Sequence, residues 1–116
     1  MNYLIILNDP AYGTERSYNG LRLANSLAKD EDTSLSVFLI GDAVWCAFAG
    51  QTTPNGYYNI ERMLKILVSK DYKIGVCGSC MDARGIKPEA LAEGAHRSSM
   101  DELTRWTKEA DKVIVF

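Results

Sequence analysis

The apolar residues of the chain alternate between short continuous runs and stretches of helical spacing. Continuous runs are typical of strands buried on both faces of a parallel sheet, and we predict strands at residues 2–7, 34–40, 73–77 and 112–116. Elsewhere apolar positions recur every three or four residues, as they do in amphipathic helices. Helices are predicted at residues 14–29, 43–49, 58–69, 88–93 and from the capping box at 99–102 to about residue 110.

This order of strands and helices predicts one α/β domain over residues 1–116, with a mostly parallel sheet covered by helices on both faces. A chain of 116 residues has the usual length of a single domain. The predicted strand at 112–116 must pair to be stable. It therefore either completes this sheet or helps to build an oligomer.

Charge and hydropathy exclude several classes of function. The net charge of -2 and the pI near 5.3 give no basic face, so we expect no nucleic-acid partner. The longest apolar stretch, residues 43–49, is too short to span a bilayer, so we expect no membrane partner. No signal peptide is expected either. The three cysteines then favour the reducing cytoplasm over a disulfide framework.

A Cys-Gly-Ser-Cys motif, Cys77 to Cys80, directly follows the predicted strand at 73–77. Open α/β sheets bind ligands at the carboxyl ends of their strands, and N–H groups at a following helix start would stabilise a thiolate. We therefore predict a functional thiol at Cys77. Cys80 is either a resolving thiol or a buried residue of the first helical turn. Cys46, on the apolar segment 43–49, is interpreted as a small core residue.

Other chemistries fit the motif less well. Zinc needs about four ligands, and the chain has no second cysteine pair and a single histidine, His96, so only an oligomer could share a site. A thioredoxin-like dithiol would lie near the start of a βαβ unit, whereas this motif follows the third strand. No glycine-rich nucleotide loop is present. We expect no metal and no organic cofactor, and we interpret His96 as a surface residue.

Two further features leave alternatives open. The loops at 8–13, 51–57 and 77–84 could converge on a small-molecule pocket, although turn chemistry explains several of their polar residues equally well. Its polar lining would be Asp9, Tyr12, Gln51, Asn55 and Tyr57. Trp45 and Phe48 are interpreted as core residues, with a subunit or partner surface as the alternative.

The residues around the motif resemble one known family. Segment 76–86, Val-Cys-Gly-Ser-Cys-Met-Asp-Ala-Arg-Gly-Ile, is similar to the signature of the DsrE/DsrF-like (YchN-like) family. Further similarity lies at residues 8–13, 21–24, 41–44, 93–95, 98–103 and 110–113. The resemblance therefore extends over essentially the whole chain, and the segment from the cysteines to Arg-Gly-Ile is its most specific part.

The resemblance implies a three-layer α/β/α sandwich of flavodoxin-like type that assembles as a homotrimer or homohexamer. By kinship with sulfur-relay subunits it also implies a cysteine that carries sulfane sulfur as a persulfide. Cys77 matches the carrier position because it precedes Gly85 by eight residues, as the carrier cysteine does before Arg-Gly. Cys80 has no counterpart in those relay subunits, although other family members share the Cys-x-x-Cys spacing.

Two functional hypotheses follow. In the first, the protein is a persulfide carrier or sulfurtransferase in which Cys77 takes sulfur from a donor protein and passes it to an acceptor. Arg84 would add positive charge near the site, or else pair with Asp82 or Glu89 on the surface. Cys80 could expel sulfide and form a disulfide with Cys77. In the second hypothesis, the protein is a non-catalytic homo-oligomeric binding or assembly module whose cysteines are structural.

Overall fold

The computed structural model describes residues 1–116. Its strands are β1 (Asn2–Leu7), β2 (Ser34–Leu39), β3 (Lys73–Cys77), β4 (Ala95–Ser98) and β5 (Lys112–Val115). Its α-helices are α1 (Arg16–Leu27), α2 (Ile60–Ser69), α3 (Gly78–Ala83) and α4 (Met100–Glu109). Short 3₁₀ helices lie at Gly41–Ala47 and Pro88–Ala90.

The five strands form one sheet in the order β4-β3-β2-β1-β5, and every neighbouring pair is parallel. The predicted α/β class and parallel sheet are confirmed, and the last strand completes the sheet by pairing with β1. The likeness to flavodoxin lies in the layers, because the flavodoxin strand order is 2-1-3-4-5. The connection from β4 to β5 reverses direction across the sheet, so right-handed crossovers place α4 on the face opposite α1 and α2.

The face beneath α1 and α2 is a fully apolar core. The side chains that share this face through the strand register are completely buried: Ile5, Leu7, Val37, Leu39, Ile74 and Val76. Leu21 of α1 and Leu64 of α2 close the layer from above. This arrangement explains why the strands appear in the sequence as continuous apolar runs.

The opposite face is covered by α4 alone. The Trp106 ring lies edge-on to Phe38, with ring centroids 6.2 Å apart. It fits there because Gly75 has no side chain, since a Cβ on Gly75 would lie 3.0 Å from the Trp106 ring. Val113 and Val115 of β5 share this face through the register, and both remain exposed. The helix therefore covers only part of this side of the sheet.

Two predicted helix starts are confirmed by their caps. The Asn59 side-chain oxygen Oδ1 accepts a hydrogen bond from the Arg62 N–H at 3.0 Å, which begins α2. Ser99 caps α4 by accepting from the Glu102 N–H at 3.2 Å. Such caps satisfy N–H groups that have no partner inside the helix.

Other element boundaries differ from the prediction because polar side chains find different partners. Helix α1 begins at Arg16 rather than at residue 14, because the Thr14 hydroxyl donates to the Asp9 carboxylate and the helix has no side-chain cap. Residues 41–47 form a 3₁₀ helix without a side-chain cap, and Pro88–Ala90 is likewise a single 3₁₀ turn. Strand β4 was not predicted, because its sequence Ala-His-Arg-Ser lacks the apolar pattern of a buried strand.

None of the helices is both long enough and apolar enough to cross a membrane.

We predict that Gly75→Ala destabilises the protein by about 1–2 kcal/mol, because overpacking of the Trp106 ring outweighs the entropic gain of removing a glycine. Urea unfolding measures the effect. Trp106→Phe removes the six-membered ring that the new methyl group would touch, so the same substitution should cost less in that background. An equal cost in both backgrounds would contradict the packing explanation.

Candidate functional site

Cys77 lies at the point where β3 becomes α3. It is the last residue of the strand and the N-cap of the helix, and its Sγ accepts a hydrogen bond from the Cys80 N–H at 3.4 Å. Its residue surface is 7 % exposed. Because β3 is an interior strand, the neighbouring strand β4 runs beside it and places Ser98 directly opposite Cys77. Two consecutive strands thus position the thiol.

The two thiols of the motif are shifted in opposite directions. Burial acts to raise the pKa of Cys77, but hydrogen bonds from Cys80 and Ser79 outweigh it, and the pKa of Cys77 lies below its ordinary value. The Ser79 hydroxyl lies 3.4 Å from the Cys77 sulfur. Burial and the hydrogen bond to Cys77 raise the pKa of Cys80 against a hydrogen bond from the Gly41 N–H at 3.2 Å. Cys77 is therefore the better candidate nucleophile at neutral pH.

Gly78 allows β4 to approach the cysteine loop closely. A Cβ on Gly78 would lie 2.8 Å from the Ser98 carbonyl oxygen and 2.9 Å from the guanidinium carbon of Arg97. In its place, Arg97 Nη1 donates to the Gly78 carbonyl at 3.1 Å. Both terminal nitrogens of Arg97 also donate to the Asp82 carboxylate, at 2.8 and 2.9 Å. The guanidinium group is thereby held against the first turn of α3.

A cavity of about 330 Å³ opens in front of Cys77 on the α4 side of the sheet. Phe38 and Met100 form apolar parts of its wall, and Ser79, Arg97 and Ser98 form polar parts. A smaller cavity of about 150 Å³ lies at the opposite end of the sheet and contains no cysteine. Of these two cavities, the one at Cys77 is thus the one that combines a candidate nucleophile with space for a small molecule.

Arg84 lies beside Cys80 rather than Cys77. Its Nε and Nη2 donate to the Asp42 carboxylate at 3.0 and 2.7 Å, and its Nη1 donates to the Cys80 carbonyl at 3.0 Å. Its charge lowers the pKa of Cys80, in opposition to burial. Asp42 is thus the carboxylate partner of Arg84. The sequence suggested Asp82 or Glu89 for that role.

Arg97 is the functional candidate that the sequence did not reveal. It lies on β4, and without that strand nothing places residue 97 next to residue 77. A partial signal was present in the glycine after Cys77, because close approach of another group to the backbone is one of the reasons for which a position requires glycine. The sequence alone did not identify which part that was.

The other residues that the sequence singled out do not line the cavity at Cys77. Cys46 is fully buried, and burial raises the pKa of its thiol to about 12, as expected for a core residue. His96 is exposed, as predicted, and pairs with Glu102. The Tyr12 hydroxyl donates to the Gln51 side chain at 2.7 Å, so two of the predicted loops meet there. Neither residue lines the cavity at Cys77.

Trp45 and Phe48 are exposed, so their interpretation as core residues is wrong. Their rings contact each other, with centroids 5.5 Å apart. The 3₁₀ helix buries the small residues Ala43, Val44 and Cys46 instead. The exposure of both rings leaves the alternative interpretation, a subunit or partner surface.

No group of three or more His, Cys, Asp or Glu side chains is arranged to hold a metal ion.

The sequence matches the model of the DsrE/DsrF-like family over residues 1–116. Protein YchN of Escherichia coli K12 is 40 % identical over 114 residues, which cover 97 % of each chain. The sulfurtransferase TusD of Buchnera aphidicola is 30 % identical over 128 aligned positions, with both chains fully covered.

Solved structures support the same relationship. The crystal structure of the Escherichia coli ychN protein superimposes with a TM-score of 0.90 at 39 % identity, with both chains fully covered. MTH1491 of Methanobacterium thermoautotrophicum, a protein of unknown function, gives a TM-score of 0.77 at 14 % identity over 99 % of this chain and 98 % of its own. At that low identity the second match establishes the fold alone.

We predict that Ser79→Ala raises the pKa of Cys77, because the variant loses a hydrogen bond that stabilises the thiolate. A higher pKa leaves less thiolate at pH 7, so Cys77 should be alkylated more slowly by iodoacetamide. Peptide mapping by mass spectrometry across a pH series measures the rate at Cys77 separately. Ser69→Ala, at the exposed end of α2, should leave the rate unchanged, and an unchanged rate in Ser79→Ala would refute the assignment.

Proposed function

The chain belongs to the DsrE/DsrF-like family, and from that premise we propose that it is a sulfur-relay protein in which Cys77 accepts and passes on sulfane sulfur. The similarity to a sulfurtransferase, TusD, supports this proposal at the level of the chain as a whole. The observation that carries it is local. Cys77 combines a lowered thiol pKa with a place among the residues that line a cavity of about 330 Å³.

The proposed transfer is a displacement at sulfur. The Cys77 thiolate attacks the outer sulfur of a donor persulfide, a new S–S bond forms, and the donor thiolate leaves with the electron pair of the broken bond. An acceptor thiolate then attacks the outer sulfur of the Cys77 persulfide and restores the Cys77 thiolate. No electron acceptor is consumed in either step. The hydrogen bonds that favour the Cys77 thiolate make it both available as a nucleophile and adequate as the final leaving group.

Cys80 is the resolving thiol in this scheme. Attack by its thiolate on the Cys77 sulfur would release sulfide and leave a Cys77–Cys80 disulfide. The raised pKa of Cys80 keeps its thiol protonated and slows this loss of sulfur. All three cysteines are free in the structure, and we propose that the protein works in the reducing cytoplasm.

We predict that Cys77→Ser abolishes sulfur loading, because Cys46 is inaccessible and Cys80 is mostly protonated. Intact-protein mass spectrometry after incubation with a persulfide donor should show the gain of a sulfur atom in the unaltered protein. Cys46→Ser is the matched control and should load fully. Cys80→Ser should load and retain its sulfur for longer. Full loading of Cys77→Ser would eliminate the carrier role.

A second candidate function is that of a homo-oligomeric assembly module, and one observation favours the assembly itself. Val115 is 61 % exposed on the sheet face that α4 leaves open, next to the exposed Val113. Exposed apolar groups of this kind are typical of contact surfaces. We propose that copies of the chain associate through this face as a homotrimer or homohexamer. The two functions are compatible, because neither Val113 nor Val115 lines the cavity at Cys77.

We predict that Val115→Lys lowers the molar mass of the assembly in multi-angle light scattering, because a charge would be buried at the contact. The monomer itself should tolerate lysine on an exposed edge strand. Ile66→Lys is the matched control, because Ile66 is 49 % exposed on α2 on the other side of the sheet, and its substitution should leave the mass unchanged. A monomeric parent protein, or an unchanged mass in Val115→Lys, would argue against this contact.

A further inference from the structure

The cavity at Cys77 contains recognition groups that the transfer of sulfur does not itself require. Besides Cys77, the residues that line it include Ser98 and Arg97. Apolar contact is available from Phe38 and Met100 on the same wall. A mixture of apolar surface and a few converging polar groups is typical of sites for small ligands.

Arg97 retains hydrogen-bonding capacity after its contacts within the protein are satisfied. A guanidinium group carries five N–H donors. Two of them bind the Asp82 carboxylate and one binds the Gly78 carbonyl. The Nε–H and the second hydrogen of Nη2 have no partner in the protein. The charge of Arg97 is partly offset by Asp82, so selectivity for an anion would come from these direct donors rather than from net charge.

The contacts to Asp82 and Gly78 also fix the group in place. An arginine held by a bidentate ion pair and a backbone carbonyl loses little further rotamer freedom when a ligand binds. The close approach at Gly78 holds the guanidinium group against the residue that directly follows Cys77. Arg97 is therefore a preorganised donor at the mouth of the reaction site.

We propose that this cavity binds a low-molecular-weight persulfide that carries a carboxylate, with Arg97 pairing with that carboxylate. The inference rests on the proposed sulfur-carrier function and specifies the class of donor. A volume of about 330 Å³ lies at the small end of the range for small-ligand sites and suits a thiol of amino-acid size. In the transfer the Cys77 thiolate takes the outer sulfur, and the small thiolate leaves and is protonated by water.

Two donors that differ only in the carboxylate test the proposal. N-acetylcysteine persulfide carries the carboxylate, and the persulfide of N-acetylcysteine amide lacks it. Loading of Cys77 is followed by intact-protein mass spectrometry, and the quantity compared is the ratio of the two rate constants. Arg97→Gln should lower this ratio by about threefold or more, since it removes a charge-assisted pair at a half-exposed site. Arg97→Lys should keep part of the preference.

Arg22→Gln is the matched control, because it removes one positive charge from α1 on the opposite face of the sheet, and it should leave the ratio unaltered. Equal ratios in the unaltered protein and Arg97→Gln would overturn the proposal. So would an equal fall in Arg22→Gln, which would indicate an effect of net charge.

A parallel measurement separates this inference from the proposed function. Alkylation of Cys77 by iodoacetate relative to iodoacetamide reports the same preference for a carboxylate without any transfer of sulfur. Both reagents react with the same thiolate, so a change in the pKa of Cys77 cancels in the ratio of rates. A ratio that falls in Arg97→Gln while no persulfide forms would reject the carrier function and retain the carboxylate site. If Arg97→Gln leaves the alkylation ratio unaltered and Cys77 still loads sulfur normally, the carboxylate site is rejected and the carrier function is retained.

Discussion

The candidate site depends on the close approach of β4 to the turn between β3 and α3. Gly78 makes this approach possible, because any side chain there would meet the Ser98 carbonyl and the Arg97 side chain at less than van der Waals distance. The approach has two consequences. It places a guanidinium group against Gly78, the residue that follows Cys77, and it forms one wall of the cavity that Cys77 lines. A larger residue at position 78 would push β4 away from the turn, and with it the Arg97 guanidinium group and this wall of the cavity.

The difference between the two thiols follows from what surrounds each of them. Both are partly buried, and burial alone would raise the pKa of both. For Cys77, hydrogen bonds lower the pKa by more than burial raises it. As the N-cap of α3, its sulfur accepts a hydrogen bond from the Cys80 N–H and lies 3.4 Å from the Ser79 hydroxyl. Cys80 receives one N–H from Gly41 and remains the weaker acid. The end of β3 and the first turn of α3 therefore give two cysteines of opposite pKa shift, and Cys77 is the candidate nucleophile.

Sequence reasoning succeeded where the physical signal is local and failed where it comes from distant contacts. The buried strands, the cap at Ser99 and the position of Cys77 at a strand end all depend on neighbouring residues. Strand β4 has no such local signal, because its sequence lacks the run of apolar residues that is typical of a buried strand. It forms a strand because it pairs with β3, which is distant in the chain. Missing it meant missing Arg97. The pairing of Arg84 with Asp42 likewise joins residues far apart in the chain.

The open part of the α4 face links the site to the proposed assembly. Strand register places Cys77 on the same face as Phe38, and Val115 follows on that face through β1. Met100, at the start of α4, lines the cavity and is itself 62 % exposed. A second copy that covered the apolar groups of this face would therefore lie near the mouth of the cavity. Because exclusion of water strengthens the hydrogen bonds that hold an anion, association on this face and reactivity at Cys77 are expected to be coupled.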